Sequence, residues 1–218
     1  MAKRLIVTAI VFSLIVSPAS ACKGAKVLFS DDFRTTDPAW PIDTNSSLAS
    51  IGSGKFTVTP DANAGKFTSW IFFYNGSLFG DADICATVTF PNTDGAKDEV
   101  AGIAFWGVDV SNAYRFNITP GGVASISRLQ NGRLLLPVPW RKADAVKVTP
   151  GAANTLRVTL NGASVSTYIN DKLFISIKGQ PTDGGGLIGL SASKGEQASF
   201  PFVFTDLKVT NLPKADLN

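Results

Sequence analysis

Short runs of alternating hydrophobic and polar residues recur along the chain at intervals of about ten residues, as in β-sandwich proteins. They include GKFTVTP from Gly54, TSWIFFY from Thr68, ADICATVTF from Ala82, TLRVTL from Thr155, SVSTYI from Ser164 and LFISIK from Leu173. A period of two places successive side chains on opposite faces of a strand. The pattern predicts an all-β fold.

Two turn signals join the last of these runs. Asn161 and Gly162 separate TLRVTL from SVSTYI, and Asn170 and Asp171 precede KLFISIK. Such pairs tolerate the positive φ angles of tight hairpins. The sequence therefore predicts three consecutive antiparallel strands here, and FPFVFTDLKVT near the end is long and apolar enough for a central strand.

The first residues have the three regions of a cleavable secretory signal. Lys3 and Arg4 precede an apolar segment, Leu5–Val16, and Ala21 ends a small-residue stretch. Because that segment is too short to cross a bilayer, we expect no transmembrane segment. Residues 1–21 are predicted to be removed on export to a periplasmic or extracellular location, which leaves residues 22–218 as a single domain.

Charge argues against a nucleic-acid partner. The predicted signal contains two of the 20 Lys and Arg residues and none of the 17 acidic residues, so its removal leaves a formal charge of +1. The remaining basic residues are scattered and form no stripe that would neutralise a phosphate backbone.

The only two cysteines are Cys22 and Cys85. In an exported chain a disulfide between them is the first expectation, because the compartment is oxidising. The alternative is lipidation of Cys22, since Cys22 would be the first mature residue and Ser20 and Ala21 resemble part of a bacterial lipoprotein box.

Several motifs together resemble the concanavalin A-like jelly rolls. They are VLFSDDF, AGIAFWGVDVSNAYRFNITPGG, VPW and NTLRVTLNGASVSTYINDKLF, followed by GGLIGLSAS and FTDLKV. Within that group the chain is similar to bacterial laminin-G-like domains and to the domain described as a 3-keto-disaccharide hydrolase. The resemblance implies a two-sheet antiparallel jelly-roll sandwich over nearly all of residues 22–218.

The residue inventory restricts catalysis. The chain has no histidine, which removes the usual general base near neutral pH and the commonest zinc ligand. The laminarinase-type glycosidases of the resembled fold carry two catalytic glutamates in an E-x-D-x-x-E pattern, whereas this chain has only Glu99 and Glu196, far apart. If the protein is a hydrolase, Glu99 or Asp109 is the candidate general acid or base.

A candidate binding site lies on the strands of AGIAFWGVDVSNAYRFNI. The period of two assigns one apolar set to the core, namely Ile103, Phe105, Phe116 and Ile118. It assigns Trp106, Arg115 and Asn117 to the opposite face. There the indole ring would stack on the C–H face of a sugar, and Arg115 and Asn117 would donate hydrogen bonds to its hydroxyls. The alternative for Trp106 is simple packing, because large aromatic residues are mostly buried.

Two further groups are candidates for binding. Trp140, on what the sequence indicates is a proline-rich loop, is either a rim contact for the ligand or an aromatic plug over a sheet edge. Asp31, Asp32 and Asp206 are candidates for a structural calcium site, which the resemblance suggests near the terminal strands. The alternative for the two adjacent acids is a turn or a cap.

These observations leave three functions open. The first is a secreted, non-catalytic carbohydrate-binding or interaction module with a saccharide ligand. The second, implied by the resemblance, is a hydrolase or lyase that acts on 3-keto-glycosides. The third is an envelope protein that binds a protein partner through a sheet edge, which would leave no side-chain signature.

Overall fold

Two antiparallel β-sheets pack face to face in this computed structural model, which describes residues 21–91, 97–196 and 200–214. The described strands are β1 Val27–Asp31, β2 Ala49–Gly52, β3 Lys55–Val58, β4 Ser69–Phe79, β5 Ala82–Thr89, β6 Val100–Asp109, β7 Asn112–Ile118, β8 Val123–Gln130, β9 Arg133–Lys142, β10 Ala153–Asn161, β11 Ser164–Ile169, β12 Lys172–Lys178, β13 Gly186–Ser193 and β14 Phe202–Thr210. The predicted all-β, two-sheet architecture is confirmed.

The first sheet has eight strands in the order β12-β11-β10-β5-β14-β3-β2, and β1 also pairs with β14. The second sheet has six strands in the order β4-β13-β6-β7-β8-β9. The predicted hairpins are present, since Asn161 pairs with Ser164 and Ile169 pairs with Lys172. Gly162 in the first turn and both central residues of the second, Asn170 and Asp171, have positive φ angles, as such turns require.

The core lies between the sheets and follows the period of two. The four residues predicted for it on β6 and β7 are fully buried, namely Ile103, Phe105, Phe116 and Ile118. The predicted central strand β14 contributes Phe202 and Phe204, which are equally buried. Hydrophobic burial of this kind is the main favourable term in folding.

The outer face of the eight-stranded sheet is covered in part by the start of the described chain. Cys22 and Cys85 are joined in a disulfide, as predicted, and their Cα atoms are 5.5 Å apart. A sulfur held in a disulfide cannot also carry a thioether-linked lipid. Residues 1–20 of the predicted signal lie outside the described residues, so the predicted cleavage stays a prediction.

Within the described ranges, no helix has the length and apolar character needed to cross a membrane.

Candidate functional site

A pocket of about 360 Å³ opens on the outer face of the six-stranded sheet, and we call it the outer-face pocket. Its lining residues come from β4, β6, β7, β8, β9 and β13 and from the segment before β4. They are Phe67, Ser69, Val100, Arg115, Asn117, Ser127, Leu134, Leu136, Trp140 and Ser193. The pocket thus contains three of the four predicted ligand-binding residues, namely Arg115, Asn117 and Trp140.

The floor of the pocket is polar because β7 and β8 present alternate residues outward. Arg115 and Asn117 alternate with core residues of β7, and Arg115 lies opposite Ser127 of β8 in the strand register. Ser127 Oγ accepts hydrogen bonds from Arg115 Nε at 3.1 Å and from Asn117 Nδ2 at 3.0 Å. These bonds hold both long side chains in one orientation, which favours a preformed site.

Among the described residues of the lining Arg115 is the one with a charge, and its side chain is largely removed from solvent. The residue is only 6% exposed. Burial lowers the pKa of its guanidinium from the ordinary value, yet arginine keeps its charge in proteins. Among the described residues its guanidinium makes a single hydrogen bond, to Ser127, and no ion pair with a carboxylate.

The rim of the pocket is apolar and open to solvent. Phe67, Leu134, Leu136 and Trp140 are all between 41% and 63% exposed. Exposed apolar side chains gathered at one place mark binding surfaces more often than isolated ones do. A ligand in this pocket would therefore contact an apolar rim and a polar floor.

Trp140 lies on strand β9 rather than on the predicted loop. Pro137 and Pro139 precede it, and β9 is the edge strand of its sheet. Proline is tolerated at an edge because the missing N–H would face away from the neighbouring strand. The loop assignment was wrong because the prolines that indicated a loop lie in an edge strand.

Trp106 does not share the pocket, so the predicted grouping of Trp106 with Arg115 and Asn117 is wrong. Its φ is 48°, and in the pairing with β13 the strand β6 has one extra residue between Ala104 and Gly107. A bulge of this kind adds a residue and breaks the alternation of faces. Phe105 and Trp106 therefore both pack inward, and the Trp106 ring meets Tyr114 edge-on with ring centroids 5.4 Å apart.

The two candidate acids lie outside the outer-face pocket. Asp109 ends β6, where its carboxylate accepts hydrogen bonds from the Ser111 N–H and from Asn112 Nδ2, as in a turn. Glu99 is 1% exposed and its Oε1 accepts the Phe200 N–H at 3.0 Å. No carboxylate from the described residues lines the pocket.

The environment of Glu99 makes stability depend on pH. Desolvation raises its pKa from the ordinary 4.5 to about 7, and the charge of Asp98 acts in the same direction; the Phe200 N–H and Lys194 oppose both. The folded state therefore holds this proton more tightly than the unfolded state. The contribution of Glu99 to the stability of the fold is therefore largest below pH 4.5 and is lost as the pH rises to about 7.

We expect Glu99→Gln to remove this loss. In the wild type, deprotonation of Glu99 should lower the free energy of unfolding by about 1–3 kcal/mol between pH 4.5 and 7.5. Urea unfolding of both proteins across that range measures the difference. Equal pH slopes for wild type and Glu99→Gln would contradict the assignment.

The candidate calcium ligands are not gathered into one cluster. Asp31 accepts the Phe33 N–H and Trp40 Nε1–H, Asp32 accepts the Arg34 N–H, and Asp206 accepts the Thr87 N–H. In the described ranges, the one group of three potential metal ligands within 4.8 Å of one another contains the disulfide cysteines and Asp83. A calcium site at Asp31, Asp32 and Asp206 stays an untested prediction.

Sequence reasoning missed the rim residues Phe67, Leu134 and Leu136 and the floor residue Ser127. A signal for Ser127 was present, since Ser125 and Ser127 alternate with Ala124 and Ile126 in VASISRLQ. That alternation places both serine hydroxyls of β8 on one face, the face that Arg115 and Asn117 occupy on the preceding strand β7. The rim residues gave no such signal, because they meet only through the tertiary fold.

No protein-family model and no curated protein matches the chain. Its structure is similar to that of a carbohydrate-binding module, CBM66 from Bacillus subtilis, with a TM-score of 0.55, 14% identity and coverage of 88% of this chain and 98% of that one. It is also similar to a glycoside hydrolase family 16 endo-glucanase from Bacteroides ovatus, with a TM-score of 0.62, 13% identity and coverage of 84% and 100%.

A third similar structure is the β-glucanase of Bacillus licheniformis, with a TM-score of 0.59, 11% identity and coverage of 84% of this chain and 97% of that one. At such identities the likeness concerns the fold. The chain has a concanavalin A-like jelly-roll sandwich fold, as its motifs predicted.

Proposed function

We propose that this protein is a non-catalytic carbohydrate-binding module that holds a saccharide in the outer-face pocket. The observation that carries the proposal is the combination of an exposed apolar rim with a buried polar floor. Sugars have apolar C–H faces and hydroxyl edges, and ligand sites commonly combine apolar walls with a few fixed polar groups. Trp140 would stack on a ring face, and Asn117 would bind hydroxyls.

The absence of carboxylates from the described lining supports binding over hydrolysis. Glycosidases of the ordinary kinds need two carboxyl groups that flank the scissile bond. The CBM66 module among the similar structures has a carbohydrate-binding role in its name, which agrees with the proposal. The disulfide supports export to an oxidising periplasmic or extracellular compartment.

The first test is incubation of the purified protein with neutral and acidic oligosaccharides and with 3-keto-glycosides, followed by mass spectrometry. Bound but uncleaved saccharide is the expected result. Cleaved products would overturn the non-catalytic role and direct attention to Glu99 and Asp109. If the protein neither binds nor cleaves any of them, a protein partner becomes the better hypothesis.

We expect Trp140→Ala to weaken saccharide binding by about 1–3 kcal/mol, or about 5- to 150-fold in Kd, because the ring supplies much of the apolar contact. Titration calorimetry on the saccharide found in the panel measures the change. Leu78→Ala is the matched control, since Leu78 is an exposed apolar residue outside the pocket. Unchanged binding in a folded Trp140→Ala variant would remove Trp140 from the site.

A further inference from the structure

Arg115 is a buried cation without an anionic partner among the described residues. Its exposed fraction is 6%, and the ion pairs found in the described part of the chain do not include it. Removing a charge from water costs several kcal/mol unless an opposite charge or hydrogen bonds compensate. A second buried arginine of the described chain, Arg157, shows the usual solution, because Asp83 Oδ1 lies 2.7 Å from its Nε.

The position of Arg115 suggests what compensates its charge. It lies in the lining of the outer-face pocket, where Nε is already bonded to Ser127. The bond from Nε fixes the plane of the guanidinium and leaves the two terminal nitrogens for a ligand. A planar fork of this kind matches the two oxygens of a carboxylate.

We infer that the outer-face pocket selects a saccharide that carries a carboxylate, a uronic acid residue, and that Arg115 binds this group. The inference rests on the proposed function and specifies its ligand class. The described lining has one positive charge and no negative one, so a single carboxylate would be neutralised without repulsion. Because the guanidinium is desolvated before the ligand arrives, the attraction is screened less than at an open surface.

The rest of the pocket suits the remainder of such a sugar. Trp140 and Phe67 offer aromatic surface at the rim, and Asn117, held by Ser127, offers a polar group beside Arg115. Ser69 and Ser193 share a hydrogen bond of 2.7 Å at another part of the lining. The ring would thus contact the rim while its carboxylate reaches the floor.

The test compares binding of paired probes by titration calorimetry at low salt. The probes are tetramers of galacturonate, glucuronate, mannuronate and guluronate, each with its uncharged methyl ester, together with neutral and sulfated tetrasaccharides. We expect at least one uronate to bind about 10- to 150-fold more tightly than its ester, since hydrogen bonds to charged groups are the stronger ones. Added salt should reduce this preference.

Variants assign the preference to Arg115. Arg115→Met should abolish the difference between uronate and ester, and Arg115→Lys should lose most of it because an ammonium lacks the planar fork. Arg128→Met is the matched control, since Arg128 lies on the neighbouring strand β8 and packs over the Tyr114 ring outside this pocket. Circular dichroism checks that each variant is folded. If Arg115→Met does not fold, Arg115→Lys still tests the inference.

The outcomes separate this inference from the proposed function. Equal binding of uronates, esters and neutral sugars, weakened by Trp140→Ala, would leave the binding module standing and overturn the uronate preference. A preference for sulfated sugars over uronates would also overturn it. So would a preference for uronate over ester that persists in Arg115→Met. No binding of any saccharide would overturn both.

Discussion

Replacing Asp83 with alanine is expected to lower the free energy of unfolding by about 3–5 kcal/mol, because the change removes the buried carboxylate that forms an ion pair with the buried Arg157. Asp83 is fully buried, and its two oxygens accept hydrogen bonds from Arg157 Nε and from the Lys23 N–H, each at 2.7 Å. Arg157 also stacks over the Tyr168 ring. Urea unfolding of wild type and Asp83→Ala measures the loss.

Two further variants make this experiment decisive. Asp144→Ala is the control, because Asp144 pairs with Lys142 in full exposure and such a pair contributes little. The double variant Asp83→Ala/Arg157→Met should recover part of the loss, since it also removes the buried positive charge that Asp83 balances. If Asp83→Ala is as mild as Asp144→Ala, the buried pair does not stabilise the fold in the way that its geometry indicates.

Removal of the disulfide, by Cys22→Ser together with Cys85→Ser, is expected to cost about 2–4 kcal/mol. The bond closes a loop with a sequence separation of 63, so its loss gives the unfolded chain many more conformations. It also holds the Lys23 N–H beside Asp83. The thermal midpoint of oxidised wild type against the double variant reports the loss.

The same bond predicts the state of the native protein. Mass spectrometry of non-reduced material should find no free thiol and no lipid on Cys22, and thiol labelling should require reduction. A lipid-modified Cys22 with a free Cys85 thiol would contradict the disulfide. Because Lys23 links the two features, we expect the stability losses from Asp83→Ala and from disulfide removal to sum to more than the loss in the triple variant.

Sequence patterns were reliable where local geometry decides the outcome. The period of two identified Ile103, Phe105, Phe116 and Ile118 as core residues, since a residue in a regular strand faces the side opposite its neighbour. The same rule failed at Trp106, because a bulge with a positive φ interrupts the alternation. The local signal for that bulge is Gly107, directly after Trp106, since a glycine inside a strand often marks a bulge.

The ion pair of Asp83 and Arg157 was not predicted at all. The two residues are 74 positions apart and lie on adjacent strands, β5 and β10. Each residue in its own segment is an ordinary polar position of an alternating strand. Their burial depends on which strands pair and on the contacts that Cys22 and Lys23 make beside Asp83.

The sequence by itself determined most of the strands, the hairpin turns, the core residues of β6 and β7 outside the bulge, and the polar pair Arg115 and Asn117. These follow from backbone geometry and from the burial of apolar side chains, which act over a few residues. Only the tertiary structure decided that Trp106 is core, that Trp140 and Phe67 lie on one rim, and that Arg115 is buried without a described counter-charge. Those properties arise when strands far apart in the chain become neighbours in a sheet, and the strand register that makes them neighbours is set by the whole fold.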